Sequence, residues 1–173
     1  MAKVKSATMR KIFGDNSPTG LRWLWLAGLA LVLDQLTKVM VMDSLVAYQD
    51  VIPLTGFFNL VHVHNTGAAF SLFADQAGWQ RAFFVVLASV AAVVIVYLLR
   101  RTRGQPLFCG SLALILGGAV GNLVDRVLYG HVIDFLDFYV GAWHWPAFNV
   151  ADSAITVGAA LLIWDSFRKG KSR

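Results

Sequence analysis

Long apolar runs alternate with polar segments along the sequence. Four of these runs are long enough to cross the ~30 Å hydrocarbon core of a bilayer, which takes about 20 helical residues. They cover residues 21–42, 81–100, 106–125 and 150–167. The composition, 57% hydrophobic and 14% charged, is also too apolar for an ordinary soluble domain of 173 residues. The pattern predicts an α-helical integral membrane protein, a single membrane domain over residues 1–173 with four transmembrane helices.

The basic residues are concentrated beside these runs in three short segments. Residues 1–22 contain five, residues 100–103 contain three and residues 168–173 contain four of the 15 Lys and Arg residues. Because cytoplasmic flanks carry the Lys/Arg excess, we expect both termini to be cytoplasmic, residues 1–20 forming a basic tail. The net charge of +5 is then explained by the topology and by attraction to anionic lipid. It gives no reason to expect nucleic-acid binding.

The two outer segments, residues 43–80 and 127–149, differ in pattern. Residues 51–64 are rich in β-branched and aromatic side chains, which predicts a small extracytoplasmic β-sheet. After them, apolar residues at i, i+3 and i+4 spacing predict a short interfacial helix that could act as a lid; these are Ala69, Leu72 and Phe73. The second outer segment is rich in aromatic residues, as is typical of a membrane interface.

Three of the runs carry a polar side chain close to their outer ends. At 1.5 Å per residue, Asp34, Asn122 and Asp152 each fall within ~10 Å of the outer boundary. Polar groups at that depth are costly and usually functional, so we expect a pocket between the helices that opens outward. The structural alternatives are local. Asp34 would pair with Lys38, which reaches towards the outer surface, and Asp152 would close a helix start that Asn149 caps.

A second carboxylate would make such a pocket hydrolytic. Two carboxyl groups in a low-dielectric site can share a proton, so that one accepts a proton from water while the other donates to the substrate. That is the chemistry of aspartic peptide hydrolysis. Asp134 and Asp137 both lie in the second outer segment, and spacing leaves either open as the partner of Asp152. Serines lack an evident local base, and the single cysteine, Cys109, lies near the cytoplasmic end of its run.

Two histidines require a metal site to be considered. His62 and His64 would share one face of a strand, and His131 or His144 would have to supply a third ligand. This spacing is a weak signal without a third ligand nearby in the sequence. Packing among interfacial aromatic residues is the favoured interpretation.

Five sequence blocks occur in order along the chain. They are DQLTK at 34–38, NTGAAFS at 65–71, GGAVGNLVDR at 117–126, VIDFLD at 132–137 and FNVADS at 148–153. Together they resemble the signal peptidase II family, the membrane aspartyl peptidases of bacterial prolipoprotein maturation. The resemblance runs from the first predicted span to the fourth, and only the basic tail lies outside it.

The resemblance implies that Asp134 and Asp152 are the catalytic dyad, in place of Asp137. It also marks residues that bind substrate or support the dyad, namely Asp34, Asn65, Gly118, Asn122, Arg126, Asn149 and Ala151. Among these, Arg126 would orient a substrate carbonyl or lipid ester, and the asparagine amides would hold the peptide and the dyad.

The same resemblance implies an aspartic endopeptidase that removes signal peptides by cleaving before a diacylglyceryl-modified cysteine. No metal or organic cofactor is expected. Its partners would be lipid-modified prolipoproteins and membrane lipid, and the enzyme would be a monomer. It would lie in the bacterial cytoplasmic (inner) membrane, with its active site near the periplasmic face.

Two other classes of protein fit parts of the pattern. A proton-coupled transporter would also place Asp34 and Asp152 in a polar cavity, but the inner halves of the four runs are almost wholly apolar and offer no continuous path. A non-catalytic helical partner protein would have no need of Asp134. A cleavage assay in detergent separates all three.

Overall fold

The computed structural model describes residues 18–67 and 79–170. Within these ranges the helices are α1 (Leu24–Ser44, preceded by a 3-10 turn at Gly20–Trp23), α2 (Trp79–Arg101), α3 (Pro106–Leu128) and α4 (Val150–Gly170). The strands are β1 (Val51–Thr55), β2 (Phe58–Asn65), β3 (Val132–Val140) and β4 (Trp143–His144). All four helices are long and apolar enough to cross a membrane. The predicted fold class, four membrane helices with a small sheet, is confirmed.

The helices extend beyond the apolar runs that predicted them. Hydropathy marks only the part of a helix that lies in hydrocarbon, and the backbone can continue its turns into the polar interface. Helix α3 begins at Pro106, a residue suited to a first helical turn because its missing N–H would have no partner there. It ends shortly before Gly130, whose φ of +82° few other residues adopt readily.

Helix α3 lies at the centre of the bundle and packs against each of the other three. It is also the most buried of the four. Two glycines allow this close approach: a Cβ on Gly117 would overlap the Ala27 carbonyl oxygen of α1, and one on Gly118 would overlap the Ala151 carbonyl oxygen of α4. Small residues at a helix contact bring two backbones together in this way. The contact positions polar residues of α1, α3 and α4 beside one another.

The sheet is antiparallel, with the strand order β1-β2-β3-β4. It lies where α1 and α3 end and α4 begins, and Val41 of α1 and Leu45, directly after α1, pack there against Ile133 and Phe135 of β3. The predicted strands at 51–64 correspond to β1 and β2. The aromatic pattern of 127–149 did not predict β3 and β4, which complete the sheet.

The predicted interfacial helix lies outside the described residues. Ala69, Leu72 and Phe73 all fall between residue 67, where the first described range ends, and residue 79, where the second begins. That expectation stays a prediction.

Candidate active site

Asparagine side chains hold two aspartates at the junction of the sheet and the bundle. Asp134 lies on β3, where its Oδ2 accepts a hydrogen bond from Asn65 Nδ2 (2.9 Å) and its Oδ1 accepts one from Asn149 Nδ2 (2.7 Å). Asp152 lies in the first turn of α4, and its Oδ1 accepts a hydrogen bond from Asn122 Nδ2 (2.8 Å). The fold therefore directs three amide N–H groups at two carboxyl groups.

Each of these amides is oriented by a donor that binds its oxygen. The donors are the Gly67 N–H for Asn65 (2.8 Å), the Asp152 N–H for Asn149 (2.9 Å) and the Lys38 ammonium for Asn122 (3.0 Å). Peptide N–H groups and ammonium groups donate and never accept, so each amide oxygen must face them. The amide nitrogen then faces the carboxyl group. The orientation of all three amides is therefore determined by the donors that bind their oxygens.

Burial strongly affects the protonation of Asp134, which is only 2% exposed. Loss of water contact is the largest effect and raises the pKa of Asp134 from 3.8 to about 7. The Asn65 N–H opposes this shift, the negative charge of Asp152 adds to it, and the Asn149 N–H opposes it. An aspartate with this pKa carries a proton at neutral pH far more often than an exposed one does.

A buried ion cluster lies next to the two aspartates. Lys38 Nζ is 2.8 Å from Asp34 Oδ2 and 2.7 Å from Asp125 Oδ2, and Gln35 Nε2 donates to Asp125 Oδ1 at 3.0 Å. Lys38 is 1% exposed and Asp34 and Asp125 are 0% exposed. The local Asp34–Lys38 pair exists, but the expectation that Lys38 reaches the outer surface is wrong, because carboxylates from two helices surround its ammonium.

The cluster also satisfies backbone groups of the elements that carry the two aspartates. Asp34 Oδ1 accepts a hydrogen bond from the Ala151 N–H (2.8 Å), and Asp125 Oδ2 accepts one from the Ile133 N–H (3.2 Å). The first N–H groups of a helix have no partner within it, so Asp34 supplies one at the start of α4. Ala151, the residue directly before Asp152, thus contributes to the site through its backbone N–H.

The start of α4 agrees in part with the structural alternative given for it. Asn149 Oδ1 accepts from the Asp152 N–H, so Asn149 does cap the helix. In that alternative the Asp152 carboxylate would also reach back to the helix start, but in the structure it accepts from Asn122 on α3. Asn149 also donates to Asp134 and so joins the helix start to β3.

Asp137 is directed away from Asp134. Its carboxylate accepts from Asn59 Nδ2 (2.9 Å) and lies 2.9 Å from His144 Nδ1. Residues three apart on a strand face opposite sides of the sheet, which separates Asp137 from Asp134. The structure brings Asp134, and not Asp137, to the start of α4.

Arg126 lies one turn after Asn122 on α3. Its Nη1 donates to the Asn122 carbonyl oxygen (3.2 Å), and its guanidinium carbon is 4.8 Å from the centroid of the Phe84 ring of α2. Cation–π contact and the helix carbonyl hold this positive charge near the two aspartates. Gly118 lies one turn before Asn122 and serves the site by admitting α4.

Three of the four histidines, His62, His64 and His131, form an aromatic group beside the sheet. His62 Nε2 is 3.3 Å from His64 Nε2, and the His64 ring stacks on His131 with 3.8 Å between centroids. Burial lowers the pKa of both His64 and His131. His144 is elsewhere, beside Asp137. Among residues 18–67 and 79–170, no group of three or more His, Cys, Asp or Glu side chains is arranged to hold a metal ion.

Sequence reasoning missed part of this arrangement. Gln35 and Asp125 were absent from the predicted site, and Lys38 entered only as a local partner of Asp34. A signal for Asp125 was present, because it lies three residues after Asn122 and therefore on the same face of α3. In the described part of the chain, every buried side-chain polar atom of the structure has a hydrogen-bond partner.

The fold and the site define a class: a polytopic membrane protein with a polar, carboxylate-containing site at one end of an apolar bundle. Two solved structures of bacterial membrane enzymes have the same fold, with TM-scores of 0.77 and 0.75 and identities of 26% and 28%. The similarity covers 88% and 83% of this chain, and 91% of each of those chains.

Sequence comparisons are more specific. The chain is 57% identical to the lipoprotein signal peptidase of Cupriavidus taiwanensis, over 98% of both chains. It is 58% identical to that of Burkholderia mallei, over 93% of this chain and 97% of the relative. The sequence model for signal peptidase (SPase) II matches residues 26–168.

The chain belongs to the signal peptidase II family. It is a membrane protease that removes signal peptides from prolipoproteins. This assignment excludes the transporter and the non-catalytic partner protein as readings of the sequence.

Proposed function

We propose that the protein is an aspartic endopeptidase that cleaves prolipoproteins directly before the diacylglyceryl-modified cysteine, with Asp134 and Asp152 as its catalytic dyad. One observation carries the proposal. Amides of three separate elements converge on these two carboxyl groups, and the charge of Asp152 contributes to the raised pKa of Asp134. Paired carboxyl groups with unequal proton affinity are suited to acid–base hydrolysis.

The reaction needs one protonated and one ionised carboxyl group. We assign the proton to Asp134, because its pKa is raised to about 7. Asp152 accepts a proton from water as the water oxygen attacks the scissile carbonyl carbon, and Asp134 donates its proton to the carbonyl oxygen. The resulting gem-diol collapses with cleavage of the C–N bond. Asp152 returns its proton to the leaving amine, and Asp134 recovers a proton from a gem-diol hydroxyl.

The supporting residues then have separate tasks. Asn65 and Asn149 hold the two oxygens of Asp134, and Asn122 holds Asp152, so that the carboxyl groups keep their geometry before substrate arrives. Arg126 supplies a positive charge and planar donors for a substrate carbonyl or a lipid ester. Asp34 and Ala151 act beneath the site through the hydrogen bond between them. No step of this reaction calls for a metal or an organic cofactor.

The location of the site suits a substrate that is embedded in the membrane. We place the protein in the bacterial inner membrane as a monomer, with both termini in the cytoplasm and the dyad near the periplasmic face. The excess of basic residues at the other end of the bundle supports this orientation. Exposed tryptophans near the sheet, Trp143 and Trp145, fit the aromatic belt of the membrane interface. Lipid chains and the signal helix would approach laterally, and water from above.

Thiol labelling tests the orientation. The only native cysteine, Cys109, is 2% exposed, so the background is low. Single cysteines at positions 50 and 142 should react with an impermeant thiol reagent in intact cells, whereas one at position 102 should react only after the cells are broken. Labelling of position 102 in intact cells would contradict the proposed orientation.

A cleavage assay tests the substrate. Purified protein in detergent is incubated with a diacylglyceryl-modified prolipoprotein and with the same chain lacking the lipid, and products are read by mass. Only the modified chain should be cut, directly before its cysteine, and a metal chelator should leave the rate unchanged. Equal cleavage of the unmodified chain would contradict recognition of the lipid.

A further inference from the structure

The ammonium of Lys38 has three N–H donors, and three acceptors from two helices surround it. These are Asp34 Oδ2 on its own helix, and Asp125 Oδ2 and Asn122 Oδ1 on α3, at 2.8, 2.7 and 3.0 Å. The two carboxylates would be enough to neutralise the lysine. The third hydrogen bond goes to the neutral amide of Asn122, and the same amide donates to Asp152 of the proposed dyad.

We propose that Lys38 is a positioning residue for the peptidase reaction: its ammonium fixes the orientation of the Asn122 amide so that Nδ2 donates to Asp152. The proposal rests on the dyad proposed above. Lys38 itself does not touch the reacting atoms.

The chemistry of an amide flip supports this role. A flipped Asn122 would turn its NH₂ group towards the ammonium and towards Asn149 Nδ2, which now donates to Asn122 Oδ1 at 3.2 Å. It would also turn its oxygen towards the Asp152 carboxylate. Each of these contacts pairs donor with donor or acceptor with acceptor, in a buried site where unpaired polar groups are costly.

Of the three amides, Asn122 is the one whose orientation depends on a side chain that a single substitution can remove. Backbone N–H groups hold the oxygens of Asn65 and Asn149, and substitution does not readily remove these groups. The oxygen of Asn122 is held by side chains, of which Lys38 carries the charge. The same charge partly opposes the effect of burial on the pKa of Asp134.

The test has to separate positioning from structural support. Lys38→Met alone would leave Asp34 and Asp125 buried without their cation, and the protein could fail for that reason. The informative variant is Lys38→Met combined with Asp125→Asn, which removes one positive and one negative charge together. The matched control is Lys169→Met, which deletes the lysine of another Asp–Lys pair at i,i+4, at the opposite end of the bundle.

Cleavage of the lipid-modified prolipoprotein is first established for the parent protein, so that failure of the proposed function is seen before any variant is made. In the Lys38/Asp125 variant, kcat should fall about 10- to 100-fold, the loss expected from one hydrogen bond to a charged group. KM should remain within about two-fold, because Lys38 does not touch substrate. Lys169→Met should change neither kcat nor KM. Parental kcat in the folded double variant would overturn the proposal.

If the double variant does not fold, a second variant tests whether Asp152 needs the hydrogen bond from Asn122. Asn122→Asp keeps an acceptor for Lys38, but it removes the N–H that faces Asp152 and adds a negative charge beside that carboxylate. The proposal requires a folded Asn122→Asp protein to have a kcat reduced at least about 10-fold. Parental kcat in Asn122→Asp would show that Asp152 does not need the donor, and Lys38 would then have nothing to position.

Discussion

Two pairs of the form Asp-x-x-x-Lys lie at opposite ends of the bundle. Asp34 and Lys38 form a salt bridge in α1, and Asp165 and Lys169 form one in α4. The Lys38 side chain is 1% exposed and also binds Asp125 of α3, whereas the Lys169 side chain is 51% exposed. Lys169 donates to Gln105 and lies over the Phe108 ring.

The comparison shows what sequence spacing can and cannot determine. Spacing of four residues on a helix brings either lysine to its aspartate. Whether the pair becomes part of a site depends on the helices around it. At the end of the bundle where α4 ends, the Asp165 side chain is 6% exposed but its lysine is 51% exposed, so the pair contributes at most about 1 kcal/mol. At the end that carries the sheet, removing one partner of the buried pair costs about 3–5 kcal/mol, because the other charge remains buried.

Removing the two carboxyl groups beside the Lys38 cluster should have the largest effect. Asp134→Asn and Asp152→Asn should each lower kcat by at least about 10³-fold, because each removes a proposed proton-transfer group. Both variants should still purify as folded protein. Asp137→Asn is the matched control on the same strand and should keep most activity, since Asp137 contacts Asn59 and His144. An inactive, folded Asp137→Asn would mean that the dyad is wrongly assigned.

The two ion pairs should differ clearly when their aspartates are replaced. Asp34→Asn should lower the free energy of unfolding by about 3 kcal/mol, since it weakens bonds to Lys38 and Ala151 in a buried site. Asp165→Asn should cost about 1 kcal/mol or less. Unfolding of both variants in one detergent measures the difference. Equal losses would remove the contrast between the two ends.

Helix packing offers a similar contrast between two glycines. Gly118→Ala should destabilise the protein by about 1–3 kcal/mol, because the new methyl would overlap the Ala151 carbonyl oxygen and force α3 and α4 apart. Gly28→Ala in α1 meets no atom within 4 Å and should stabilise by up to about 1 kcal/mol through helix propensity. Melting temperatures of both variants decide whether close contact at the site matters.

The pH dependence of cleavage should reflect Asp134. In the proposed reaction Asp134 donates its proton to the substrate, and that proton is lost as pH rises through about 7, so kcat should fall about tenfold per pH unit above that value. The same raised pKa also determines how the stability of the fold changes with pH. The folded state holds a proton that the unfolded chain releases from pH 3.8 upward, so stability should decline between pH 3.8 and about 7. Asp134→Asn should lack that decline. A kcat that is constant from pH 6 to 9 would contradict the assignment of the proton.

Most of the fold could be predicted because it follows from local pattern. Long apolar runs determine the helices, since a backbone in hydrocarbon must satisfy its own hydrogen bonds. Strand β3 was missed because its evident feature is aromatic content, while most of its pairing is with β2, about 70 residues earlier in the chain, and only its last residues pair with β4. Pairing at that distance leaves little local signal.

The site could be predicted only in outline. Depth along a helix suggested that Asp34, Asn122 and Asp152 lie at one level, and the structure joins them in one hydrogen-bond network. Depth does not reveal which faces of the helices meet. The role of Lys38 therefore needed the position of α3 beside α1, and the choice between Asp134 and Asp137 needed β3 to be recognised as a strand.

The partners of Asp34 also bear on how the chain enters the membrane. Lys38 is four residues away, whereas the Ala151 N–H is 117 residues away. When the first helix inserts, α3 and α4 have not yet been synthesised, and the lysine can neutralise the aspartate within the same helix, which lowers the cost of taking either charge into lipid. The same two residues are then shared with α3 and α4 once those helices arrive and associate. The pair that lowers the cost of inserting α1 alone thus becomes, in the folded protein, part of the contact between α1 and α4. The Asp34–Ala151 hydrogen bond can form only after α4 has packed against α1.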